Sequence, residues 1–134
     1  MGKKKLSLDF TGFEEMAEKL VKANGDLKAT TEKALNATYD IVNPQLQEGI
    51  RRHHKTGGTE KSLKPKKIEW EGNTAYVYIG FDINKGGLPS IFLNYGTPTI
   101  TPDPFVTKAV QSKKKLYQKK QKEIFVEELE KLGG

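Results

Sequence analysis

Leu27, Thr31, Leu35, Thr38, Val42, Leu46 and Ile50 recur every three or four residues, and that spacing constrains the fold more than any other feature of the chain. Successive side chains on an α-helix turn by about 100°, so residues three and four apart share a face. The stripe therefore predicts a long helix that lays one side against the rest of the molecule. Asp26 stands just before it as a capping carboxylate. Pro44 falls inside the stripe. A proline removes one backbone donor and disfavours α geometry at the preceding Asn43, so a kink or a break is expected there. The stripe keeps its phase across Pro44, which favours one kinked, continuous helix.

Upstream, Thr11-Gly-Phe-Glu14 has the spacing of a capping box. It opens a shorter helical pattern with Phe13, Met16, Ala17 and Leu20, closed by Asn24-Gly25. Downstream, Arg51 to Ser62 is polar and glycine-rich and reads as a loop. Ile68 and Trp70 then alternate with charged residues, and Gly72-Asn73 marks a tight turn. Ala75, Val77, Ile79 and Phe81 alternate in turn with Tyr76 and Tyr78. That is a hairpin with one face for a core and two tyrosines on the other, suited to an interface or simply to an exposed sheet face.

Gly86-Gly87 precedes a short helical pattern over Pro89 to Tyr95, stopped by Gly96. Pro98 to Pro104 is an irregular crossing, and Asp103-Pro104 reads as a capping carboxylate followed by proline at the first helical position. A last helix is predicted to about Leu132 on Phe105, Ala109, Leu116, Ile124, Phe125 and Leu129. Its apolar stripe thins between Lys113 and Lys122, so this stretch is expected to project from the core or to meet a partner. Together these patterns predict an α+β fold, a small antiparallel sheet packed against a kinked helix and a long C-terminal helix. With 134 residues the chain suits one domain over 1–134, with residues 1–10 as a flexible basic N-terminus.

Chemistry has little to work with. The chain has no cysteine, which excludes thiol nucleophiles and cysteine-ligated zinc. Its two histidines, His53 and His54, are adjacent and point apart on a helix, so a solvated basic turn is the expected reading. Gly57-Gly58 and Gly86-Gly87 lack the spacing of a phosphate-binding loop. No enzyme activity, cofactor or metal is expected. The longest uncharged stretch, Gly86 to Pro102, is broken by Gly, Pro and Asn, so no membrane span is expected. Met1 to Lys5 is basic but no apolar run follows, which predicts a cytoplasmic start.

The net charge of +6 makes anionic partners plausible. Lysines crowd Lys3–Lys5, Lys61–Lys67 and Lys113–Lys122, the last running into an acidic segment from Glu123 to Glu130. Lys113, Lys114, Lys115, Lys119, Lys120 and Lys122, with Tyr117 among them, are candidates for DNA or an acidic partner. Lysine lacks the forked geometry that reads bases, so such binding would be non-specific and salt-sensitive.

Three stretches taken in order resemble a family of tailed-bacteriophage tail components, which includes tail-completion and head–tail joining proteins. The first is Asn43-Pro-Gln-Leu-Gln-Glu-Gly-Ile50, running into His54-Lys-Thr-Gly57 and Lys61-Ser-Leu63. The second is the hairpin with Ala75-Tyr-Val-Tyr-Ile-Gly80. The third is Ile91-Phe-Leu-Asn-Tyr-Gly-Thr97, followed by prolines and Pro104-Phe-Val-Thr-Lys-Ala109, which is similar to an aromatic-Gly-Thr motif and a Pro-Phe helix start. Asn94 stands where many members have Glu, and the Thr-Gly loop carries an extra Gly-Thr-Glu.

The resemblance implies a structural subunit of the virion acting in tail completion or head–tail joining, made in the host cytoplasm and residing at the tail or head–tail interface. It implies self-association, a hexameric ring being one form, with head–tail connector and tail proteins as partners and DNA passing through the lumen. Thr56, Gly57, Ser62, Tyr76, Tyr78, Tyr95, Gly96, Thr97, Pro104 and Phe105 are then the candidate assembly-interface residues. The runner-up is a non-specific DNA-binding protein of a prophage or mobile element, and a third reading is a regulatory interaction module.

Overall fold

The computed structural model describes residues 3–8, 12–53, 58–72, 74–82, 86–87, 90, 94–96, 98, 101 and 103–133. In chain order the elements are β1 (Lys3–Leu6), α1 (Phe13–Lys22), α2 (Leu27–Arg51), a single turn α3 (Gly58–Lys61), β2 (Ile68–Glu71), β3 (Thr74–Gly80) and α4 (Phe105–Lys131). The strands form one antiparallel sheet in the order β1-β3-β2, and the sheet packs against the helices in an α+β arrangement.

The apolar stripe becomes the face of α2 that everything else covers. Thr31, Leu35, Thr38, Val42, Leu46 and Ile50 are all buried. Asp26 caps the helix as expected, its Oδ1 accepting from the Ala29 amide at 3.0 Å. The helix runs unbroken through Pro44. Pro44 and Asp40, whose carbonyl loses its helical donor to the proline, both lie on the exposed side, where water can take the donor's place.

Two apolar clusters sit on this helix. Leu35, Val42, Leu46 and Ile50 meet Ala75, Val77, Ile79 and Phe81 from the sheet and Phe105, Val106, Ala109 and Tyr117 from α4. Ala34 meets Leu20 of α1 and Ile124, Phe125 and Leu129 of α4. Each fully buried aliphatic or aromatic side chain contributes about 1.5–3 kcal/mol. The hairpin register, Ile68 opposite Val77 and Glu71 opposite Thr74, leaves a two-residue turn with Gly72 at φ 59°. Polar ties then fasten β2 and its approach to α2. Trp70 Nε1 donates to Glu32 at 2.7 Å, Lys66 Nζ pairs with Asp40 at 3.0 Å, and the Tyr39 hydroxyl donates to the Lys64 carbonyl.

Several expectations are corrected. Residues 3–6, expected within a flexible terminus, form a strand paired along β3 from Lys3–Gly80 to Leu6–Val77. α1 starts from Gly12, left-handed at φ 86°, with no side-chain cap; Thr11, the expected cap, lies outside the described residues. The expected loop from Arg51 to Ser62 contains the turn α3. On α4, Leu116 is half-exposed, and Tyr117 and Gln121 enter the interior instead. The lysine-rich stretch therefore does not project. Tyr117 supplies apolar bulk, and Gln121 Nε2 donates to Thr38 Oγ1 at 2.7 Å, so two polar residues close a seam that a search for apolar letters misses.

Gly49 lies where α4 comes closest to α2. A Cβ there would fall within 2.8 Å of three Phe105 side-chain carbons. Gly49→Ala should destabilise the protein by about 1–3 kcal/mol through overpacking, read as a lower urea midpoint at unchanged slope. An unchanged midpoint would mean that Phe105 is not seated on the α2 backbone.

Candidate functional site

The end of α2, the Asp103–Pro104 crossing and the first turn of α4 converge on one junction. Phe105 is its centre: it packs on Gly49, stacks with His53 at 6.1 Å and meets Phe81 edge-on at 5.9 Å. Above it, one carboxylate oxygen of Asp103 takes Arg52 at 2.9 Å and His53 Nε2 at 2.8 Å. The hydrogen bond from His53 and the ion pair with Arg52 hold the Asp103 carboxyl below its ordinary value, against partial burial that pushes it up. Two sequence expectations change here. His53 lies in the expected turn but is paired and partly buried, and Asp103 does not cap α4, because its carboxylate is turned to the basic end of α2.

The cap comes from twelve residues upstream. Asn94 Oδ1 accepts from the amides of Val106 at 3.1 Å and Thr107 at 3.3 Å, and its Nδ2 donates to Thr107 Oγ1 at 3.1 Å. One buried side chain thus satisfies two of the free donors at the start of α4. A carboxamide or a carboxylate can do this. Tyr95 next to it is helical and 56% exposed, and Gly96 follows at φ 79°, the left-handed conformation that ends a helical turn.

The expected interface residues therefore divide. Tyr95, Gly96, Pro104 and Phe105 gather at this junction, with Tyr95 projecting and Phe105 buried. Ser62 is buried and is part of the framework: its hydroxyl donates to the Thr59 carbonyl at 2.6 Å, and its own carbonyl accepts from the Asp82 amide at 2.7 Å. Tyr76 and Tyr78 lie on the opposite face of the sheet from the core, edge to face at 5.4 Å. Tyr76 is nonetheless buried, and burial, with the carboxylates of Glu71 and Glu69, pushes its phenol up to about 12. Thr56, Gly57 and Thr97 lie outside the described residues.

The lysines do not form a single row. Lys113, Lys114 and Lys115 are consecutive, so they fan around α4 at about 100° each. Lys108, Lys115, Lys119 and Lys122 do share its outer side, over about 21 Å of helix. Tyr117 is buried and so is withdrawn from any stacking on bases. A second basic surface, not singled out from the sequence as a site, is a cleft of about 320 Å³ where Lys61, Lys64 and Lys67 face Tyr78 and Asp82. Lys64 there sits 3.5 Å from Asp82 and 6.0 Å over the Tyr78 ring.

Among the described residues no group of three or more His, Asp or Glu is arranged to hold a metal ion, and no helix is long and apolar enough to cross a membrane. Compared with family models, with curated proteins and with solved structures, the chain has no match. The likeness to tail components therefore rests on the three stretches themselves.

Two substitutions test the junction. Asn94→Ala should cost about 1–2 kcal/mol in urea unfolding, while Asn94→Asp should retain most of the stability, since a carboxylate still accepts both amides at the positive end of a helix. Equal losses for both would remove the capping role. Asp103→Asn should cost about 1–2 kcal/mol at neutral pH, where the carboxylate is ionised in both folded and unfolded chains but paired only in the folded one. A carboxyl lowered on folding stabilises above its ordinary value of 3.8, and that contribution disappears as pH falls through the lowered value. The gap between wild type and variant should accordingly close in acid; a gap independent of pH would contradict the pairing.

Proposed function

We propose that this chain is a structural assembly subunit of a tailed bacteriophage, acting in tail completion or head–tail joining as a homo-oligomer. The observation that carries the reading is the junction itself. Two of the stretches that resemble tail components, one at the end of α2 and one holding Asn94–Gly96 and Pro104–Phe105, lie about forty residues apart, yet they interlock through Gly49 on Phe105 and through Asp103 on Arg52 and His53. Residues that serve only one another in this way hold a shape, and shape is what an assembly subunit contributes. Tyr95 then projects from a rigid base, with a ring that can be buried against a neighbour and a hydroxyl that can stay wet. Its surroundings are the surface assigned here to contact with other virion proteins.

A second reading, non-specific DNA binding, draws on α4. Between Phe105 and Lys122 every charged residue is a lysine. Salt-dependent binding of the isolated protein to duplex DNA, with a slope reporting several phosphates, would favour it.

The decisive test of the assembly reading is negative-stain imaging of lysates from the parent phage or prophage with this gene deleted. DNA-filled heads beside detached, complete or overlong tails are expected. Normal, infectious particles would sink the reading.

A further inference from the structure

α4 is charged against its own stability. Lysines fill its first two-thirds, and from Glu123 to Glu130 every charged residue is a glutamate. The helix dipole favours the opposite order, acids at the start and cations at the end. Lys119 and Glu123, four apart, also stand in the less favourable orientation for a pair within one helix. No acid occupies the first turn. Among the described residues, none of Lys115, Lys119, Lys122, Glu123, Glu127 and Glu130 forms an ion pair within the chain. Helix stability does not account for this pattern.

The outer side of α4 also has the spacing of a second seam. Ser112, Leu116, Lys119, Glu123, Val126 and Glu130 follow one another at intervals of four, three, four, three and four residues. That is the a/d spacing of a coiled coil, on the side away from α2. Leu116 is 50% exposed on it, and Val126 is only partly buried, on a surface shared with Lys119, Glu123 and Glu130.

We propose that this face binds the same face of a second copy of the chain, with the two α4 helices antiparallel about a two-fold axis level with Gln121. In that register Leu116 of one copy meets Val126 of the other, and Ser112 meets Glu130. Lys119 meets Glu123, and Glu127 comes onto the same flank as Lys113 of the other copy. Every pairing occurs twice, because an isologous contact repeats itself across the axis. A parallel arrangement would set lysine against lysine and glutamate against glutamate, so the segregation of charge selects the antiparallel one. The seam holds few apolar residues and its ion pairs are exposed, so the dimer is held weakly and is sensitive to salt. The contact specifies a surface for the self-association in the assembly reading and rests on that part of it. The deletion phenotype tests the reading without reference to this surface.

Sedimentation velocity of the full chain at about 50 mM salt should give a dimer whose mass falls toward the monomer at about 500 mM. The double variants Lys113→Glu/Lys119→Glu and Glu123→Lys/Glu127→Lys should each weaken association at least about tenfold. Mixed one to one, the two variants should associate again, because each reversed stretch then meets its complement. That recovery also excludes misfolding as the cause of the loss. A wild-type chain that is monomeric throughout, an assembly whose mass ignores both variants, or variants that fail to recover on mixing would each overturn the proposal. If the wild type stays monomeric while Lys113→Glu/Lys119→Glu alone abolishes binding to duplex DNA, the lysines belong to nucleic acid and the dimer is again excluded.

Discussion

The packing of α4 along α2 is the contact on which the rest of the structure depends. α2 presents one face to the sheet, to α1 and to α4, so its stripe is a wall of both apolar clusters. Near the middle of the seam the wall is polar: Gln121 is fully buried and donates to Thr38, whose hydroxyl donates in turn to the Ala34 carbonyl at 2.9 Å. Gln121 Oε1 finds no partner among the described residues, a cost of about 1–3 kcal/mol. Such a pair adds little net stability, but only one register of α4 on α2 lets it form. A buried polar contact of this kind acts on specificity more than on strength.

Once that register is set, the start of α4 falls against the end of α2, and the junction follows. A helix start leaves free amides and a positive end; the end of α2 carries Arg52 and His53. Two side chains resolve this. Asn94 serves the amides, and Asp103 serves the cations. The division is sensible electrostatically, because the one charged acceptor goes to the charged donors and the neutral amide goes to the backbone. Gly49 and Phe105 fix the distance across which both must reach.

The same helix that builds the core on one side carries segregated charge on the other. Its inner face is committed to α2 and α1, and its outer face holds lysines and then glutamates that form no ion pair among the described residues. Together with Tyr95 projecting from the junction, this gives the described part of the molecule two exposed surfaces suited to a partner. An assembly subunit needs that combination. In the assembly role proposed above, the internal contacts would keep the shape fixed and the exposed ones would select the neighbours.

Local patterning was enough to locate most of the framework. The three- and four-residue spacing of α2, the Asp26 cap, the hairpin alternation and the α+β class could all be read from the residues, because each depends on neighbours within a turn or a strand. The reading failed wherever a residue's partner is distant. Asp103 has the right letter and position for a cap but is claimed by Arg52 and His53, about fifty residues away, while the cap falls to Asn94. Tyr117 and Gln121 looked like part of a solvated lysine stretch, and only Thr38 across the seam makes the glutamine a core residue. Residues 3–6 carry a basic signature that suggests a loose end, and the free edge of β3 turns them into a strand. The sequence by itself determined α2, the β2–β3 hairpin and the apolar face of each, since those follow from local period. Tertiary structure alone decided which polar groups are spent inside and which remain for a partner, since a hydrogen bond goes to whichever acceptor the fold brings within reach.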